Sequence, residues 1–99
     1  MTELAEVLDR LTIVDSAVGL LADRSSPDDA IACQAMLDLL HQSEALLLKA
    51  DLLVVGTADR DFFAPLLKKT FAASAVVARR LDRIRQAALV AEAATATKH

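Results

Sequence analysis

The sequence predicts an all-α fold: a three-helix up-down-up bundle, completed by dimerisation. Three observations lead there. First, Ala45 to Val55 reads Ala-Leu-Leu-Leu-Lys-Ala-Asp-Leu-Leu-Val-Val. At about 100° per residue its Leu and Val side chains point in nearly every direction, and only Lys49 and Asp51 interrupt them. Second, Leu4, Val7, Leu11, Val14, Val18 and Leu21 recur at alternating spacings of three and four, which places them on one helical seam. Third, 55% of the 99 residues are apolar, an excess supplied mainly by Ala and Leu, with no Tyr or Trp and only two Gly and two Pro. That bias suits helices and leaves too few turn formers for an all-β domain.

A helix that is apolar all round cannot turn a broad side to water. A chain of this length forms one domain, near the low end of what a single core can stabilise. The missing cover is therefore expected from a second chain.

Helix 1 is expected over about residues 3–23. Thr2 can cap its start, and Glu3 and Glu6 suit the positive end of the helix dipole. Ile13 and Leu20, with Ala17 between them, make a second apolar stripe on roughly the opposite side. Ser25-Ser26-Pro27-Asp28-Asp29 is the clearest boundary, with Ser26 as the cap and Pro27 as first helical residue. Helix 2 then runs over about 27–55, with Ile31, Met36, Leu37 and Leu40 inward and Gln34, Asp38 and Gln42 outward. Gly56 is placed to end it in a left-handed conformation. Thr57 to Asp61 reads as a polar connector with room for a helical turn of its own, and helix 3 follows over about 64–93, because Pro65 suits a helix start or a kink better than a deep interior.

A local rival exists. Ala50 to Thr57 also resembles a buried parallel strand leading into a helix, and Leu11 to Asp15 could be another. The helical seam continues through the first of these, however, and the chain offers no good third strand.

The net charge of −3 hides an asymmetry. Residues 1–61 carry twelve acids and four bases, a balance of −8; residues 62–99 carry seven bases and two acids, a balance of +5. Such a split suits a basic helix held against acidic ones, or a basic surface for an anionic partner. Cys33 is the lone cysteine and reads as a small buried hydrophobe, which suits a reducing cytoplasm. The first residues lack the basic start and apolar run of a signal peptide, and no window is apolar enough for a membrane span. A cytoplasmic protein is expected.

Helix 3 carries a basic face. Lys68, Lys69, Arg79, Arg80 and Arg83 fall within about a 120° arc, opposite Leu67, Val77, Ala78, Leu81 and Ile84. Phosphates would be drawn to this ridge, yet no DNA-binding signature or Tyr or Trp for base stacking accompanies it. Arg85 falls inside the apolar arc, so its guanidinium must reach the rim or meet an acid. Asp38, His41 and Glu44 share a helix side at successive steps of three, but one His without a second Glu-x-x-His element makes no di-metal site. No metal and no cofactor is expected. Gly-rich phosphate loops, Cys/His metal spacings and nucleophile elbows do not occur in the sequence.

Leu20-Leu21-Ala22-Asp23-Arg24 resembles the end of the long first helix of the small all-helical chorismate mutases, which are of similar length. Ser26-Pro27 then breaks the chain where that family's pattern differs, and its active-site lysine and glutamine have no counterparts here. An enzyme of that class is the remotest expectation. The nearest is a non-enzymatic helical protein–protein interaction module, such as an adaptor, small chaperone or regulatory subunit, with Ile13, Leu20, Leu47, Leu48, Leu52 and Val55 as contacts to a second copy or another protein. Between them stands a nucleic-acid-associated regulator that uses the basic ridge.

Overall fold

The computed structural model describes residues 3–26, 28–57 and 60–96. Thr2 and Pro27, to which the sequence assigned a cap and a first helical position, lie outside these, as does part of the expected connector. All regular structure among the described residues is helical: α1 (Glu3–Arg24), α2 (Ala30–Leu53) and α3 (Arg60–Ala96).

In α1 the seam behaves as its spacing requires. Val7, Leu11 and Val14 are buried, while Leu4, Val18 and Leu21 are half-buried. The start of α2 corrects the sequence reading. Its cap is Asp29, whose Oδ1 accepts from the amides of Ile31 at 2.9 Å and Ala32 at 3.2 Å. Ser26 instead opens the preceding turn: its carbonyl accepts from the Asp29 amide at 3.1 Å, and its hydroxyl from the Asp28 amide. Both residue types can cap. The carboxylate adds a full negative charge at the positive end of the dipole, and capping there leaves Ser26 to Asp29 free to reverse the chain. With the later start, Ile31 is 84% exposed rather than inward.

The end of α2 matches its punctuation. Beyond Leu53, the Thr57 amide donates to the Val54 carbonyl at 3.0 Å, and Gly56, with φ +85°, takes the third position of that turn. A side chain there would be strained. So Ala50 to Leu53, the heart of the rival strand, is helix.

Helix α3 begins four residues earlier than expected and includes Pro65. The ring removes the amide that would reach back to the Asp61 carbonyl, a loss within the second turn. Offsetting it, the early start buries Phe63 against Val54, with Phe62 packed edge-on at 5.3 Å between ring centroids.

Both outer helices pack on α2, and the contacts run in opposite chain directions. Glu3 lies beside Lys49 and Asp15 beside Ser43; Glu44 meets Ser74 and Gln34 meets Arg85. Among the described residues, no Cα of α1 comes within 8 Å of a Cα of α3. The chain is accordingly elongated, 65 × 23 × 17 Å. Its tightest packing lies at one end, where Val7, Leu11, Leu47, Ala50, Val54 and Phe63 bring all three helices together. No helix among the described residues is long and apolar enough to cross a membrane.

Candidate functional site: an apolar groove and the exposed helix faces

Away from the Phe63 end, α1 and α3 flank α2 without closing over it. A groove of ≈ 380 Å³ results. Its floor is Cys33, Met36 and Leu40 of α2. One wall is Val18, Leu21 and Ala22 of α1, running on to the hydroxyls of Ser25 and Ser26. The other is Ala73, Val77 and Arg80 of α3. Apolar surface dominates this lining, and Arg80 is its one charged residue. Chemically, such a groove can exclude water from an apolar face and orient it through a single cation. Cys33 is buried on the floor, as its reading as a hydrophobe implied.

Two polar locks hold the helices at this register. The buried Ser43 hydroxyl donates to Asp15 Oδ1 at 3.4 Å, tying α1 to α2. The next residue, Glu44, accepts from the buried Ser74 hydroxyl of α3, which also contacts the Phe71 carbonyl at 3.0 Å. A serine buried without a partner would be costly, so each lock favours one axial position of its helix pair.

Glu44 is thereby separated in role from its line-mates. Asp38 and His41 are exposed, and Asp38 accepts from Gln34 Nε2 at 3.0 Å. No group of three metal-ligating side chains occurs among the described residues. Gln34 in turn accepts from Arg85 Nη2 at 3.0 Å. Arg85 therefore reaches the rim as its place in the apolar arc required, meeting an amide that relays to an acid.

The expected contact residues divide. Ile13, Leu20, Leu48, Leu52 and Val55 are exposed, Leu52 at 72%. Leu47, only 3% exposed, is part of the core and has no surface left to give a partner. That corrects its place among the contacts: the arc of α2 between its two neighbours captures it, while Leu48 one residue on points past them. Ile13 borders a shallower depression with Arg10, Gln42, Ala45 and Leu46, between α1 and the back of α2.

Of the basic residues, Lys68, Lys69, Arg79 and Arg83 are exposed, on the opposite side of α3 from the buried Phe63, Ser74 and Leu81. Arg80 is half-buried at the groove. No carboxylate of the described residues lies within 4.0 Å of any of the five. The sequence reading missed the groove itself. A signal existed in the spacing of Ala73, Val77, Arg80 and Ile84, but a wall becomes a groove only once the opposite wall is placed.

No protein-family model matches the chain, and no curated protein or solved structure matches it either.

Proposed function

We propose that this chain is a non-enzymatic helical protein–protein interaction module, an adaptor, small chaperone or regulatory subunit, which acts by burying helix faces against a partner. The observation that supports it is surplus apolar surface. Among the described residues, fourteen large apolar side chains are exposed, against ten apolar residues buried. Single exposed hydrophobes are ordinary, but this proportion in so small a chain marks surface meant for cover. Ile13, Leu20, Leu48, Leu52 and Val55 are the contacts, and the up-down-up bundle is completed by dimerisation. A symmetric dimer hides the same patch on both copies and closes the assembly. The setting is cytoplasmic, where the Cys33 thiol stays reduced.

Sedimentation of the purified protein at micromolar concentration tests this. The expected mass is twice the 10.6 kDa of one chain. Leu48→Glu and Leu52→Glu should each shift it toward the monomer while leaving the helical far-UV signature intact. A well-behaved monomer, unchanged by either substitution, would defeat the dimer.

One observation favours a second reading, a nucleic-acid-associated regulator: the solvent-facing Lys68, Lys69, Arg79 and Arg83, with Arg80 beside them. It requires affinity for mixed-sequence duplex that falls steeply with salt and disappears in Arg79→Ala with Arg80→Ala.

A further inference from the structure

We propose that the groove binds a medium-chain aliphatic carboxylate, its head paired with Arg80 and its hydrocarbon tail laid along the floor of α2. This goes beyond the interaction module and does not depend on it, since none of Ile13, Leu20, Leu48, Leu52 and Val55 lines the groove.

The head is set by an unanswered charge. Arg80 is half-buried in a lining that is otherwise apolar or hydroxylic. Its side chain forms no ion pair and no hydrogen bond with any described residue. The other cations of α3 are placed differently: Lys68, Lys69, Arg79 and Arg83 are exposed, and Arg85 is held by Gln34. Drawing a cation partly out of water is unfavourable unless an anion meets it. A carboxylate answers that need well, because its two oxygens match the guanidinium fork.

The tail is set by shape. Glu44 with Ser74 and Gln34 with Arg85 fix the register of α3 on α2 and bring Arg80 about level with Leu39. The head therefore sits near the Leu40 end of the floor. From Leu40 the floor runs through Met36 and Cys33 to Ala32, eight residue steps and about 12 Å. That is the reach of an extended medium-length hydrocarbon. At the far end the hydroxyls of Ser25 and Ser26 close the apolar tract. The volume of ≈ 380 Å³ lies within the range of about 300–1,000 Å³ of small-molecule sites. Spread over this length it leaves a channel roughly 6 Å across, wide enough for a hydrocarbon chain and too narrow for a helix of about 10–12 Å. Shape thus selects an acyl chain over a partner helix, and Arg80 selects an anionic head.

NMR titration of the full methyl-labelled chain with decanoate, kept below its micellar concentration, tests the site, and calorimetry gives the affinity. Saturable one-to-one binding is expected, with the shifts concentrated on the methyls of Val18, Leu21, Met36 and Val77. Decanol, which lacks the charge, should bind at least tenfold more weakly. Hexanoate should also lose at least tenfold, because each fully buried methylene is worth about fourfold in affinity. Arg80→Gln should bring decanoate to within about threefold of decanol while leaving decanol itself unchanged within about twofold. Ala22→Trp, at an exposed position on the groove wall, should block both ligands. Far-UV ellipticity and thermal unfolding of both variants confirm that the chain still folds. Equal affinity for decanoate and decanol overturns the proposal, as does an equal loss of both in Arg80→Gln. Shifts centred on Leu48 and Leu52 would mean adsorption to the general apolar surface and also overturn it. So does an absence of saturable binding. The interaction module is judged separately, by the sedimentation mass of the ligand-free chain and of Leu52→Glu.

Discussion

Leu47 and Leu52 are the same residue type in the same apolar run, yet the structure gives them opposite duties. Leu47 packs among Val7, Leu11, Ala50, Val54 and Phe63, contributed by all three helices, and is 3% exposed. Truncating it to Ala removes buried methyl groups and leaves a cavity, at about 3 kcal/mol within the usual range of roughly 2–5. For a small domain with a total stability of about 5–15 kcal/mol that is a large fraction. With a urea dependence near 1.5 kcal/mol per molar, about what small proteins show, the midpoint should fall by roughly 2 M. Leu52 is already 72% exposed, so Leu52→Ala should stay within about 0.5 kcal/mol for the isolated chain. Urea unfolding followed by far-UV circular dichroism, at sub-micromolar and at tens of micromolar protein, separates the two effects. Leu47→Ala should be destabilised at both concentrations. Leu52→Ala should fall behind wild type only at the higher one, where association stabilises the wild type. Equal losses at low concentration would mean that Leu52 is buried within a single chain, which would refute the placement of the helices around α2.

Two further outcomes test the local structure. Asp29→Ala should cost about 0.5–2 kcal/mol by removing the cap of α2, and Ser26→Ala distinctly less, measured as shifts of the thermal midpoint; equal shifts would return the cap to Ser26. Ser74→Ala strips the half-buried Glu44 of its hydroxyl donor and should cost about 1–2 kcal/mol in urea unfolding, more than Glu44→Gln, which keeps an acceptor; a neutral Ser74→Ala would show that this contact does not hold the register of α3.

What the sequence determined by itself is what depends on near neighbours along the chain. The seam from Leu4 to Leu21, the positive-φ stop at Gly56 and the need of Arg85 to reach a rim all follow from helical period and turn chemistry, and each has its structural counterpart. Three helices and no strand follow from the same local rules among the described residues.

Only the tertiary structure decided the rest. Ser26 and Asp29 are both competent caps three residues apart, and local propensity does not rank them; the turn into α2 does. Pro65 argues for a helix that starts just before it, but burying Phe63 outweighs the bond lost at Asp61. Within Ala45 to Val55 every apolar side chain has a similar drive to leave water. Which of them succeed depends on where α1 and α3 lie around α2, and two neighbours cannot enclose a helix that is apolar on all sides. Leu47 is therefore core and Leu52 surface, and the space between the two outer helices is a groove, because burial is a property of the whole arrangement and not of the residue.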